Sequence, residues 1–308
     1  NNFAFPIENF ELTLANNPKS LNQLLDLLKK YIQKSGIVKN KIVGIGIGMP
    51  GFVDIKKSIN NTYLKPARGN VVSELESELG VPVFIDNDSS LVALAELKFG
   101  KARNRKNSMV INIGWGVGLG MILNGELFRG NNGFAGEFSH IPIFTNNKIC
   151  GCGKSGCLET ETSLLVIIDK AIKGIKEGKS TSLKDISMDH PEAAAHSIIE
   201  AALHGDSFSI DLITEVGYNI GRGVAILIHI LNPELIVLSG RGSLAGRLWR
   251  APIQQAINKL CIPKIAEDTT IEISQMNYQA EIIGTACLVM DQIDKRKFLL
   301  THEKSLIS

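Results

Sequence analysis

Apolar residues recur at helical spacing at Leu21, Leu24, Leu25, Leu28 and Ile32, which predicts an amphipathic helix ended by Gly36. Ser20 and Gln23 have the spacing of a capping box and are expected to open it. Residues 3–14 ahead of it read as an extended opening. Residues 41–47 then read as a buried strand running into a Gly-Met-Pro-Gly turn, and residues 83–85 as a second strand reached through a helix over residues 71–79. This alternation predicts a mostly parallel sheet with helices on its faces. From Ser108 the pattern starts again. Residues 109–113 form a strand, and residues 118–123 pair with 126–128 across Asn124-Gly125, a dipeptide suited to a tight hairpin. A long helix over residues 210–231 stops before Pro233, strands follow at 235–238 and 270–275, and a helix over 280–293 closes the pattern.

A chain of 308 residues favours two lobes, because single cores stop growing near ~250 residues. We place the first at residues 1–106 and the second at 107–308, with the last helix packing back toward the first. The longest apolar run, residues 224–231, is interrupted by His229 and far too short to span a bilayer. A formal net charge of +2 gives no broad electrostatic footprint for nucleic acid. One basic knot remains at residues 101–106, readable as a solvated loop or as a contact to a phosphate backbone.

Chemistry concentrates in residues 136–161, where His140, Cys150, Cys152 and Cys157 share a glycine-studded segment. Thiolate and imidazole in a Cys3His set are the ligands of tetrahedral zinc, and four protein donors close the shell, so the ion would be structural. Gly151, Gly153 and Gly156 allow the turns that aim several sulfurs at one point. The alternative is a loop of free thiols. Cys261 and Cys287 lie in apolar contexts and read as small buried side chains. Thiolate ligands and an odd total of five cysteines fit a reducing cytoplasm. Glu137 precedes His140 by one helical turn and Glu159 follows Cys157 by two residues, so a metal knot would pin both toward a common cleft. Solvated loop charges are the alternative for each.

The CGCGKSGCLE stretch with its upstream GEFSH resembles the ROK family (repressor, open reading frame, kinase), over nearly the whole chain. The resemblance implies an α/β, actin-like or hexokinase-like (ribonuclease H-like) two-lobe fold with a zinc-binding loop. It implies that His140 binds zinc and contacts a sugar, that Glu137 and Glu159 bond sugar hydroxyls, and that Gly51 lets the backbone approach the ring. Asn87-Asp88, beyond the carboxyl end of a predicted strand, lies where open α/β sheets bind ligands. In the resembling kinases Asp88 would be the general base and Asn87 a ring contact. An N-cap on the following helix is the competing role, and both fit adjacent residues.

The nucleotide half departs from the kinase pattern. The loop NIGWGVGLG, residues 112–120, has Trp115 between Gly114 and Gly116 where kinases of the family carry a small hydroxyl residue. Asn112 stands in place of an acidic residue, and SGRGS at residues 239–243 replaces a plainer glycine pair. Trp115 also reads as core packing. The first phosphate loop of the family, Asp-x-Gly-x-Thr, does not occur before Lys41. The expectation is therefore a fragment lacking that hairpin and an upstream helix-turn-helix domain, through which alone DNA would be met. The chain then reads as the sugar-sensing effector part of a ROK regulator of the N-acetylglucosamine and xylose repressor branch, a homodimer or dimer of dimers holding structural Zn2+. An ATP- and Mg2+-dependent sugar kinase is the alternative, and a plain sugar-binding protein a third.

Overall fold

A computed structural model describes residues 4–15, 17–67 and 69–306, side chains beyond Lys295 excepted. The first part comprises α1 (Ser20–Ser35), β1 (Ile45–Met49), a small hairpin of β2 (Val53–Asp54) and β3 (Ile59–Asn60), α2 (Val71–Leu79), β4 (Val83–Asn87) and α3 (Asp88–Phe99). There follow β5 (Ser108–Ile113), β6 (Val117–Leu123), β7 (Glu126–Phe128), α4 (Leu164–Lys176), α5 (Pro191–Leu203) and α6 (Ser207–Leu231). The chain continues through β8 (Leu235–Ser239), α7 (Arg250–Leu260), the single turn α8 (Pro263–Ala266), β9 (Thr270–Ile273) and α9 (Gln279–Leu306).

Strands β7, β6, β5, β8 and β9 lie in that order in one sheet, antiparallel through the hairpins and parallel from β5 onward. Both faces are covered, and the side-chain period of two sorts residues between them. Met109, Ile111, Ile113, Ile236 and Leu238 enter a core with α4, α5 and α6, whereas Val110, Leu235 and Val237 meet α3 and α9 on the other face. In the first part β1 pairs in parallel with β4 alone among the described residues, and α1 and α2 pack below them around Val71, Leu75 and Ile85.

Two local expectations are corrected. Ser20 is the first helical residue of α1 and buried; Lys19 occupies the cap position without a side-chain bond, while Asn17 Nδ2 takes up Gln23 Oε1 at 2.8 Å. The box fails because the helix starts one residue early, with Ser20 buried inside its first turn. The strand read from residue 41 starts at Ile45, since residues 39–41 form a 3-10 turn with exposed lysines. The expected extended opening forms no strand in its described residues, and its Phe3 lies outside them.

Glycine sets how closely α3 sits. This helix is buried on all sides from Ser89 to Glu96, and a Cβ at Gly118 would stand 2.7 Å from Ser89 Cβ, one at Gly120 2.7 Å from the Ser89 carbonyl oxygen. Two glycines of the NIGWGVGLG loop therefore serve helix-on-strand approach. The burial of Glu96 is offset by two donors at 2.9 Å, the Lys101 amide and the Ser239 hydroxyl.

Candidate functional site

Strand β4 delivers Asn87 and Asp88 to the mouth of α3. Asn87 Oδ1 accepts from the amides of Ser89 at 3.0 Å and Ser90 at 3.1 Å, so Asn87 is the N-cap. Its Nδ2 donates to the Gly51 carbonyl at 3.2 Å. Gly51 has φ +79°, and a Cβ there would stand 2.7 Å from Thr62 Cβ, so the turn requires glycine. Asp88 Oδ1 accepts from the Ser89 amide at 2.7 Å and its hydroxyl at 3.2 Å. The same hydroxyl accepts from Asn112 Nδ2 at 3.2 Å, which ties the carboxylate of α3 to β5. Asp88 retains some solvent contact yet is enclosed by protein, and this burial pushes its carboxyl above the ordinary range; the Ser89 bonds oppose the rise and nearby Glu159 adds to it.

His140 ends a 3-10 turn, residues Phe138–His140, that begins after Glu137. Its Nε2 lies 3.6 Å from Glu137 Oε2, and its Nδ1 lies 3.5 Å from Cys150 Sγ. Burial also raises the Glu137 carboxyl, with His140 opposing and Asp88 and Glu159 adding. Cys152 and Cys157 sulfurs stand 3.7 Å apart, and the four donor atoms of His140, Cys150, Cys152 and Cys157 all fall within 4.8 Å of one another. Thiolate and imidazole donors on a tetrahedron around a zinc-sized ion have edges of about 3.6–3.8 Å. The donor set and its spacing thus fit a four-coordinate metal ion. Two isolated bridges, Pro142 with Cys157 and Ile149 with Ser155, hold the loop in register.

Glu159 joins this knot to the glycine loop. Its Oε1 lies 3.7 Å from Cys150 Sγ, while its Oε2 accepts from the Val117 amide at 3.3 Å and lies 2.6 Å from where a Gly116 Cβ would be. Next in the loop, Trp115 packs its inner side on the core, and Arg241 Cζ stands 5.5 Å from its ring centroid, within cation–π range. Arg241 Nη1 donates to both carboxylate oxygens of Glu192, at 2.9 and 2.7 Å. The 239–243 loop is anchored from below: Trp249 Nε1 donates to the Gly242 carbonyl at 2.7 Å and the Ser243 hydroxyl to Asn277 Oδ1 at 2.9 Å.

Three of these groups escaped the sequence. Glu281, in the first turn of α9, is raised by burial and by Asp88, with Arg241 opposing; only its place ahead of the apolar run 282–290 of the closing helix hinted at it. Glu192 carried no signal, because its partner lies 49 residues away. Glu161 is buried and bound by Lys148 at 2.6 Å, Lys170 at 3.4 Å and Asn146 at 2.5 Å, fastening the metal loop to α4. The basic knot is partly neutralised, with Arg105 on Glu234 at 3.3 Å and Lys101 on Glu272 at 3.8 Å. Cys261 and Cys287 are buried. No described helix is long and apolar enough to cross a membrane.

Residues 11–292 match the ROK family. The chain belongs to the ROK family. It shares the α/β, hexokinase-like fold of that family's solved structures. A glucokinase of Halalkalibacterium halodurans is 33% identical over 276 residues, covering 87% of this chain and 82% of that protein. A xylose repressor of Caldicellulosiruptor bescii is 32% identical over 282 residues, covering 89% of this chain and 69% of that protein. A solved ROK family transcriptional regulator, described as a homologue of the Escherichia coli Mlc protein, superposes with a TM-score of 0.76 at 30% identity, covering 90% of this chain and 70% of that one. Kinases and repressors are thus equally near.

Proposed function

We propose that this ROK chain is the sugar-sensing effector part of a cytoplasmic transcriptional regulator and has no kinase activity. The reading rests on one contrast. Asp88, Glu137 and Glu159 act on one another through space, with His140 beside Glu137 and Asn87 capping the helix that carries Asp88, while Trp115 under Arg241 stands in the glycine loop. Phosphoryl transfer draws its rate from donors and cations placed around the moving phosphate, and a covered indole supplies neither.

On this reading Asp88 accepts from a sugar hydroxyl through Oδ2, because Oδ1 is held by Ser89. Asn87 keeps one amide hydrogen for the ring, Gly51 gives the backbone close access, and Glu137, His140 Nε2 and Glu159 complete the wall. His140, Cys150, Cys152 and Cys157 would hold structural zinc, which would supply a rigid cross-link behind that wall. The two lobes, 1–106 and 107–308, close on the sugar, and closure alters a dimer whose DNA contacts are made by other residues of the regulator. The sugar shifts that equilibrium only by its differential affinity for the open and closed forms.

The test is a coupled assay for ATP turnover, run beside titration calorimetry, across hexoses, amino sugars and pentoses. Binding of at least one sugar without turnover is expected. Turnover that Asp88→Asn abolishes would establish the kinase instead.

A further inference from the structure

Phosphate groups are held by arginine or lysine and by free backbone amides of glycine turns. Two of the glycine-loop amides and the arginine in the nucleotide half of this cleft are already engaged. In the glycine loop the Gly114 amide donates to the Gly116 carbonyl at 2.9 Å and the Val117 amide to Glu159 Oε2 at 3.3 Å. The cation on this side, Arg241, is bonded to both oxygens of Glu192 and laid over Trp115. The turn that carries it is fixed by the Trp249 indole on Gly242, and a Cβ at Gly242 would come 2.5 Å from Ile113 Cγ2.

The rest of the charge is negative. Asp88 and Glu281 act on each other through space from α3 and α9, and Glu159 faces the loop between them and the metal knot. An incoming phosphoryl group meets carboxylates on the sugar side and a neutralised guanidinium on the other. Like charges set face to face in a recessed site cost far more than exposed ones.

We infer that the ligand of this cleft is an uncharged sugar, and that sugar phosphates and nucleotides are shut out because Glu192 and Trp115 occupy Arg241. This deepens the sugar-sensing reading and rests on it. Glu192 is the specificity-setting residue: it makes its hydrogen bonds to the guanidinium, and its charge also reaches Glu281 through space.

Calorimetry on the 308-residue chain decides the matter. The probes are glucose, N-acetylglucosamine and xylose, the 6-phosphates of the two hexoses, and inorganic phosphate. The parent sugar that binds is expected to do so at least ~10-fold more tightly than its phosphate, and Glu192→Gln to raise affinity for the phosphate by roughly 10-fold without changing that for the parent. Glu192 is a surface residue at the start of α5, so the variant folds. A phosphate that binds the wild type as tightly as its parent, or a Glu192→Gln protein with unchanged preference, overturns the inference and leaves sugar sensing standing. Failure of every sugar and every phosphate to bind overturns sugar sensing and this inference together.

Discussion

The crossing of α3 and α9 offers the sharpest test of how the site is positioned. A Cβ at Gly284 would stand 2.5 Å from the carbonyl carbon of Leu91 and 3.0 Å from its Cα, with the carbonyl oxygen nearer still. The obstacle is backbone, so no rotamer relieves it. To reach an ordinary contact with that oxygen the helices must part by about 1.5 Å, and overpacking of this kind costs about 1–3 kcal/mol. Gly284→Ala also gains about 1 kcal/mol of helix propensity. With a rigid obstacle the cost sits at its upper end, leaving a net loss of about 2 kcal/mol, or a Tm lowered by about 4 °C for a chain of this size. Because the first turn of α3 carries Asp88 and Ser89, a shift of that size loosens the wall of the cleft and should weaken sugar binding roughly tenfold. The control is Gly151→Ala: unlike Gly153 and Gly156, Gly151 does not have the positive φ expected of it in the metal loop, and a Cβ there meets nothing within 4 Å, so a change within about 0.5 kcal/mol is expected. Thermal unfolding and calorimetry read both effects. A Gly284→Ala protein as stable as wild type and binding sugar equally well would refute the claim that these glycines set the geometry.

Two further outcomes test the remaining supports. Elemental analysis should find one zinc per chain, and stripping it, or Cys157→Ser, should lower Tm by more than about 5 °C and abolish sugar binding, since metal affinity is folding free energy; an unchanged Tm after chelation counts against the knot. Asp88→Asn should lose sugar affinity yet unfold at a higher temperature near neutral pH. The sign follows from the raised carboxyl: between the ordinary and the raised value the unfolded chain binds fewer protons, so ionising Asp88 costs stability as pH rises. The gain from asparagine, about 0.5–2 kcal/mol, should therefore shrink on acidification toward the ordinary carboxylate range. A Tm difference independent of pH would show that burial of this charge is not its cause.

The sequence alone carried whatever depends on neighbours along the chain. Periodicity marked α2, β5, the β6–β7 hairpin and α6 to within a few residues, because the amphipathic face and the Asn124-Gly125 turn are local properties. The cluster of His140, Cys150, Cys152 and Cys157 was legible for the same reason: its members lie within one short segment, and their donor atoms meet. Local rules failed where packing decided instead, as at Ser20, which is buried within the helix in place of capping it.

Tertiary structure alone decided which groups meet and what state they are in. Asn112 meets Ser89 across 23 residues, Arg241 meets Glu192 across 49 and Glu96 meets Ser239 across 143. No pattern in the chain announces such pairs, since a hydrogen bond between distant residues depends on packing that brings their backbones together. The glycines of the NIGWGVGLG loop make the same point. The family resemblance made them a cradle for phosphate, but two of them serve the approach of α3, and the Gly114 and Val117 amides of the loop are bonded within the protein. Residue type sets what a site is able to bind, and the fold settles which of those capacities are still free.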